Sequence, residues 1–568
     1  MCGIAGIIGV GAIKTTIDAM LAAQAHRGPD AQKTHLDEGV ALGHNRLSII
    51  DLSSAADQPF YSQDGRYTLV FNGEIYNYLE LKRILEESYN FQTQSDTEVL
   101  LAAFLHWGND CLAHLNGMFS FAIWDSQEER LFAARDRFGV KPFYYHKAED
   151  GFYFASEIKS LFAAGISKIP NEVVWASYFA YGSYGMPNET FWQYVNQLPG
   201  GHFLELSDDK LQIHQWYDFV KEVQKYDLKL SFEAVKMRYL QLLDSSIKLR
   251  FRADVPLGFN VSGGLDSSAL LALVNRTANG ENINAYTFYT GDDRYDELPW
   301  VKDLIAHTKN PLHTVLFEAK DVAEAAASMS ALQDEPFGGV PTLAYAAIFK
   351  EAVSQGVKVL LDGQGMDEQW AGYDYYAQKQ SQSTIQGVTS SPFKKGVLSK
   401  AFLAKAKKPV YPTPFKDRVL NLQYRDLFYT KIPRALRFND RVSMAASTEL
   451  REPFLDYRLV EFAFAQPLDY KIKDGVQKYL LRDLVSEHLS NNISLAPKRP
   501  LQTPMREWLG NELAPWVQEA LIALKSHSWF DEKALQEAFE KYKAGEQDSS
   551  FHIWQWVNTS LLLDQKDV

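Results

Sequence analysis

Cys2 stands directly after a methionine and opens the run Cys2-Gly3-Ile4-Ala5-Gly6. Methionine removal, which a small second residue permits, leaves a cysteine that carries a thiol and a free α-amine together. An α-amine titrates near neutrality, so it can take the thiol proton without another side chain. The thiolate is the reactive form, and a catalytic N-terminal nucleophile is expected; the alternative is an ordinary buried cysteine. A second centre is written in Val261-Ser262-Gly263-Gly264-Leu265-Asp266-Ser267-Ser268. An apolar strand runs through two glycines into a helix start, and backbone amides at such a turn make an anion site. Ser262, Ser267 and Ser268 add hydroxyl donors. Asp266 conflicts with phosphate unless a divalent cation lies between, and Mg²⁺ held by one or two carboxylates and phosphate oxygens removes the conflict. No Gly-Lys-Ser/Thr follows and no Gly-x-Gly-x-x-Gly is present, so this is neither a Walker loop nor a dinucleotide fingerprint. The theme repeats where Val359-Leu360-Leu361 runs into Asp362-Gly363-Gln364-Gly365-Met366-Asp367-Glu368.

Two scaffolds are needed to position these groups. The first 200 or so residues carry short strand-like segments, such as Tyr67-Thr68-Leu69-Val70-Phe71 closed by the turn dipeptide Asn72-Gly73. Phe119 to Trp124, a polar turn, and Leu131 to Ala134 read as a hairpin. With few helices between, this half is expected to be α+β with antiparallel sheets. After about residue 225 the character changes. Residues 231–248 have helical spacing of Ala234, Met237, Leu240, Leu243 and Ile247. Strands at 259–261, 283–289, 313–317 and 357–361 then alternate with helices, which predicts an α/β doubly wound parallel sheet. In such a sheet ligands sit outside the carboxyl ends of the strands. Both acidic loops should therefore face one crevice, where Asp266 and Asp367 share a metal. The stretch 380–415 reads as a surface loop and 416–568 as largely helical. The domain division expected is 2–205, a linker at 206–230, and 231–568.

A chain of 568 residues exceeds what one core can hold. A net charge of −13 argues against broad nucleic-acid binding. Cys2 and Cys111 are the only cysteines, so no disulfide framework is expected and a reducing, cytoplasmic compartment is. The apolar runs are too short to span a bilayer.

Further motifs appear in order along the chain: His26-Arg27-Gly28-Pro29-Asp30, Gly43-His44-Asn45-Arg46-Leu47-Ser48-Ile49-Ile50-Asp51, Phe71-Asn72-Gly73-Glu74-Ile75-Tyr76-Asn77, Ser95-Asp96-Thr97-Glu98, Arg135-Asp136-Arg137-Phe138-Gly139-Val140-Lys141-Pro142, Asp440-Arg441-Val442-Ser443-Met444-Ala445 and Glu452-Pro453-Phe454-Leu455-Asp456. With Cys2 and the two acidic loops they cover nearly the whole length, and the chain resembles the glutamine-hydrolysing asparagine synthetases of the large bacterial type. The resemblance implies an αββα N-terminal-nucleophile glutaminase joined to an ATP-pyrophosphatase synthetase domain. It implies that Cys2 attacks the amide carbon of glutamine, with Asn72 and the Gly73 amide as oxyanion hole. Arg46 would hold the glutamine α-carboxylate, the stretch Leu47, Ser48, Ile49 and Ile50 would line the same pocket, and Asp96 with the Glu74 backbone would take the ammonium. In the second half it implies ATP at 262–268, with backbone at Val261, Phe288 and Gly363 against the nucleoside, Asp362 beside it, and Mg²⁺ on Asp266 and Asp367. Many relatives carry glutamate where this chain has Gln364, at the site where the intermediate forms, and a bacterial branch has glutamine there; an amide cannot serve as base, though it can hydrogen-bond. Relatives also carry a Lys-x-Gly-Phe stretch near 496–504, where Lys498, adjoined by Arg499, is the candidate for the pyrophosphate-releasing step. The substrates implied are glutamine, aspartate and ATP, with a homodimer left open. Amidation of another carboxylate, or a non-catalytic sensor of nucleotide or glutamine, are the alternatives.

Overall fold

Alternating apolar residues build the first half as four layers. In the strand Gly3–Gly9, Ala5 and Ile7 face one way and Ile4 the other. Ile4, with Val40 and Leu42, meets Val70, Ala122 and Leu131 in a core between two sheets. Ala5, Ile7 and Ala41 pack outward on Ile17, Met20 and Leu21 of the helix Lys14–Ala23. Leu69, Phe71 and Phe121 pack outward on Leu81, Leu85 and Val99 of the helices Tyr78–Leu85 and Asp96–Trp107. A side-chain period of two sends successive residues of each strand to opposite layers. Each sheet has six strands, and the order helix, sheet, sheet, helix is the αββα arrangement.

The computed structural model describes residues 1–226, 230–276, 280–378, 385, 391–498, 502–546 and 549–563. Among these, no helix is long and apolar enough to cross a membrane.

The second half is organised by five parallel strands in the order Leu312–Leu316, Asn284–Tyr289, Leu257–Asn260, Val359–Leu361, Glu449–Arg451. The fifth strand lies in a stretch read as helical. Three residues are too few for periodicity to show, and their partner is 90 residues away in sequence (Val359 opposite Glu449). Helices follow it, as expected for 416–568.

Four readings change. Asn72-Gly73 is not a turn: the strand Tyr67–Ile75 runs through it, with Asn72 opposite Ser120 and Gly73 opposite Phe119. The glycine answers to close packing, since a Cβ there would lie 2.1 Å from the Met118 carbonyl oxygen. The helix Phe232–Arg250, capped by Ser231 Oγ on Ala234 N, buries Val235, Tyr239, Leu242 and Ser246 and leaves Met237 59% exposed. Leu243 and Ile247 of the predicted stripe are buried and Leu240 packs against the same cluster, whereas Met237 gives way to Val235 and Tyr239. The strand Lys210–Gln215 pairs with His202–Ser207 in the second sheet, so residues 206–215 belong to the first half rather than to a linker. Within 380–415, residues 379–384 and 386–390 lie outside the described residues, whereas Val397, Leu398 and Phe402 are buried, with Phe402 stacked on Trp529.

Candidate active site

Cys2 sits at the mouth of the strand Gly3–Gly9, and its backbone nitrogen donates to Asn72 Oδ1 at 3.0 Å. That bond orients the Asn72 amide. Its Nδ2 is buried and has no acceptor among the described residues, a donor held ready for a charge the structure does not hold. Cys2 Sγ lies 3.9 Å from the Leu47 carbonyl oxygen, and burial pushes the thiol above its ordinary value. Oriented donors of this kind contribute when aimed at developing negative charge. Asn72→Ala is therefore expected to lower glutaminase kcat by roughly 10²–10³-fold with little change in KM; steady-state glutamate release measures it.

The remaining first-half candidates surround Cys2. Arg46 is buried, held by Asp57 Oδ1 at 2.6 Å, by the Ser53 carbonyl at 2.7 Å and by the Asp51 carbonyl. Leu47, Ile49 and Ile50 pack with Met1 and Tyr76 in one apolar cluster, and Ser48 N donates to Asp30 Oδ2 at 2.8 Å. Asp96 accepts from Ile75 N at 2.9 Å, in the helix capped by Ser95. Burial pushes its carboxyl up to about 6. If Asp96 receives the substrate ammonium, KM for glutamine rises as pH falls below about 6, because the protonated acid loses its attraction. Asp96→Asn should abolish that dependence, and a KM series across pH checks it. Glu74 is raised further by burial and by the nearby Glu449.

Glu449 belongs to the second half, as does Arg451, which reaches Glu74 at 3.5 Å. The Met1 ammonium is buried on Glu449 at 3.2 Å. Arg27 makes a second bridge: its Nε donates to the Cys2 carbonyl at 2.9 Å, and its Nη1 donates to Glu157 at 2.9 Å and to Asp440 at 2.8 Å. Arg441 donates back to the Ser156 carbonyl at 3.2 Å. The motifs around Arg27 and Asp440, unassigned in the sequence, meet here. Buried charges persist when paired and hydrogen-bonded.

The second centre forms at the carboxyl ends of the adjacent parallel strands Leu257–Asn260 and Val359–Leu361. The loop after the first is closed on itself: Ser262 N donates to Ser267 Oγ at 3.1 Å, and Ser267 Oγ donates to the Ser262 carbonyl at 2.9 Å. Gly264 N donates to Ser262 Oγ at 3.3 Å, and Ser268 Oγ is buried without a partner among the described residues. Gly363 lies against this loop, where a Cβ would come 3.0 Å from Ser267 N. A Cβ on Gly263 would lie 2.6 Å from Trp300 Cβ. Val261 and Phe288 are buried in the adjoining strand region. Asp362 accepts from Tyr345 OH at 2.6 Å and from Gln364 N at 2.7 Å, and burial raises its carboxyl.

Asp266 and Asp367, expected to share a metal, both pair with Lys478. Its Nζ lies 2.7 and 2.6 Å from the Asp266 oxygens and 2.5 Å from Asp367 Oδ1. Burial opposes ionisation of Asp367, but Lys478 and Lys498 outweigh it and hold the carboxyl well below the usual range. Lys498 pairs with Asp367 and its side chain is 25% exposed, against 4% for Lys478. Arg499 lies outside the described residues. Sequence reasoning missed Lys478, which is 111 residues beyond Asp367 and carries no glycine-rich signature. Its one local mark is backbone: φ is +54° in a residue other than glycine, and such strain clusters at functional sites. Among the described residues no group of three or more His, Cys, Asp or Glu converges to hold a metal. Two carboxylates meeting on one cationic nitrogen do suit Mg²⁺, which takes one or two carboxylates and completes its shell with phosphate oxygens and water.

Comparison with known proteins agrees with this two-site arrangement. A glutamine amidotransferase domain model matches residues 1–217, and an asparagine synthase model matches residues 238–564. The chain is 29% identical to asparagine synthetase (glutamine-hydrolysing) 1 of Bacillus subtilis, over 98% of this chain and 95% of that one. It is also 29% identical to asparagine synthetase (glutamine-hydrolysing) 3 of the same organism, over 95% and 93%. The amidase ChyE of Penicillium rubens is 28% identical over 91% and 89%. With more than half its length matched by the synthase model and a glutaminase domain ahead of it, the chain belongs to the asparagine synthase family.

Proposed function

We propose that this chain makes L-asparagine from L-aspartate and ATP with nitrogen taken from glutamine, releasing AMP and pyrophosphate. The observation that carries the reading is the pairing, in one chain, of Cys2 with an oriented Asn72 amide and of two acidic loops bridged by Lys478. In the first site the Cys2 thiolate attacks the glutamine amide carbon while Asn72 Nδ2 and the Gly73 amide stabilise the oxyanion. Arg46 holds the α-carboxylate and Asp96 the ammonium, with Leu47, Ser48, Ile49, Ile50 and the Glu74 backbone completing the pocket. Water returns the enzyme and glutamate leaves.

In the second site the loop 262–268 seats the triphosphate, and backbone at Val261, Phe288 and Gly363 meets the nucleoside, with Asp362 beside them. The aspartate β-carboxylate attacks the α-phosphate, pyrophosphate departs, and β-aspartyl-AMP remains. Asp266 and Asp367 are the residues that would hold Mg²⁺, which supplies charge neutralisation for phosphoryl transfer. Lys478, with Lys498 further out, gives the departing pyrophosphate positive charge. Ammonia from the first site crosses the interface under exclusion of water and attacks the adenylate, because ammonium is no nucleophile. The reading carries with it a cytoplasmic enzyme acting on small molecules alone, with a homodimer left open.

A second reading, glutamine-dependent amidation of another carboxylate, draws on the likeness to ChyE, named as an amidase. Incubation with amide-¹⁵N glutamine, ATP and candidate acids separates the two. Labelled asparagine is the expected product; label in a different carboxamide, with none from aspartate, overturns the first reading in favour of the second.

A further inference from the structure

Gln364 leaves the synthetase site without the base that a glutamate there would supply, since an amide accepts no proton at neutral pH. Amide formation still sheds one. When the nitrogen lone pair bonds to the adenylate carbon and the carbon–oxygen bond to AMP breaks, the nitrogen must lose a proton to become a carboxamide.

The carboxylates around the crevice are mostly engaged. Asp362 is bound by Tyr345 OH and Gln364 N. Asp266 and Asp367 are bound by lysines, Glu449 by Arg451, and Asp456 by Arg250 at 3.0 Å and Arg458 at 2.7 Å. Glu452 differs. It is 5% exposed, and the cations that counter its carboxylate, Lys141 and Arg250, act on it through charge. Its place is fixed by the sheet. Leu361 is opposite Arg451, and Asp362 N donates to the Arg451 carbonyl at 3.0 Å. Glu452 is thus set beside Asp362 at the carboxyl ends of the strands, where ligands bind. On its other side it lines a cavity of about 10 Å³ between the two halves, walled by Tyr76, Asn116 and Met118 of the first half and by Arg250 and Leu455 of the second. That is room for one water-sized molecule.

We propose that Glu452 is the general base of amide formation, taking the proton from the nitrogen that arrives from the glutaminase half as it bonds to the acyl-adenylate. The inference rests on the amidation reading above. Its electrostatics suit the task. Burial raises the carboxyl, Lys141 and Arg250 oppose, and Asp362 and Asp440 add to the rise, giving about 8; Tyr345 and Tyr76 also lie near it, and Asp136, Arg137 and Tyr457 line the same cavity. A base is most useful when its pKa lies near the working pH.

The test measures amide formed per glutamate released, with glutamine as donor, in wild type, Glu452→Gln and Glu452→Asp between pH 6.5 and 8.5. This ratio cancels changes in the glutaminase. The wild-type ratio should rise with pH as Glu452 ionises. Glu452→Gln should lower it at least tenfold and flatten its pH dependence, with adenylate lost to water as AMP without amide. Glu452→Asp should restore part of both, and it serves equally if the glutamine variant fails to fold. A wild-type ratio in Glu452→Gln, or an unchanged pH dependence in either variant, overturns the base role. A wild type that forms no carboxamide from any acid overturns the amidation reading itself, and so the two failures are distinct.

Discussion

Cys2→Ala abolishes glutamine-dependent asparagine synthesis, by about 10⁴-fold or more on the precedent of removed nucleophiles, while synthesis from added ammonia continues. The first half of that expectation follows from chemistry: no other thiol is near, since Cys111 is fully buried in a separate apolar cluster and burial raises it far above its ordinary value. The second half follows from how the fold is held. The glutaminase core is made by Ile4, Ala5, Ile7 and their partners across the sheets, not by the thiol. The bridge to the synthetase half uses the Cys2 backbone carbonyl, which alanine retains, through Arg27 to Asp440. Parallel assays of glutamate release and of asparagine formation with either nitrogen source decide it. Loss of the ammonia-driven reaction in a folded variant would mean the two sites are not separable. The state of the N-terminus enters the same experiment. With Met1 attached, the nitrogen of Cys2 is an amide that donates to Asn72 and has no lone pair to accept the thiol proton. Intact-mass measurement of active wild type should accordingly show Met1 removed.

Much of this site was legible because its chemistry is local. The loop 262–268 and the loop 362–368 are each contiguous, each follows an apolar strand, and the parallel order places them side by side. Asn72 was legible as a site residue but not as a strand residue, because Asn-Gly favours turns when nothing else intervenes. Here pairing with Ser120 and Phe119 overrides that preference. What could not be read is what long-range packing alone creates. The strand Glu449–Arg451 is three residues long and takes its identity from Val359–Leu361. Its residues Glu449 and Arg451, and Glu452 after them, face the other half of the molecule, where Glu74 and Asp96 respond to Glu449 and Arg451 and where Lys141 acts on Glu452. A sequence shows each of these as an isolated charge of the kind that usually faces solvent. Only the docked halves show that they are buried together.

The bridges also bear on how the two reactions are joined. Arg27 touches the Cys2 carbonyl at one end and Asp440 at the other, and Arg451 spans Glu74 and Glu449. In the proposed placement of glutamine beside Asp96 and Glu74, its ammonium adds a cation to a buried cluster in which Glu449 already raises both carboxyls. Occupancy of the donor site would therefore change the field on a strand that ends at Arg451, next to Glu452 in the synthetase crevice.

Lys478→Met removes pyrophosphate release with aspartate and ATP by about 10³-fold or more, the scale seen when a single cation is withdrawn from phosphoryl transfer. Methionine keeps the length of the side chain and none of its charge. Among the described residues Lys478 is the cationic side chain paired with both Asp266 and Asp367. Its loss leaves Asp266 without its lysine, whereas Asp367 keeps Lys498. The reciprocal change, Lys498→Met, leaves both carboxylates paired to Lys478 and costs less, the more so because Lys498 is partly solvated and its ion pair is correspondingly weaker. The pH response distinguishes a charge effect from a packing effect. Asp367 is ionised throughout the working range while both lysines hold its carboxyl low. With Lys478 gone, burial is opposed by one cation instead of two, the carboxyl titrates higher, and residual activity should fall as pH drops where wild type is flat. Pyrophosphate release measured across pH for the two variants reads out the assignment: a silent Lys498→Met beside a crippled Lys478→Met places the pyrophosphate cation at 478, and the opposite order returns it to 498.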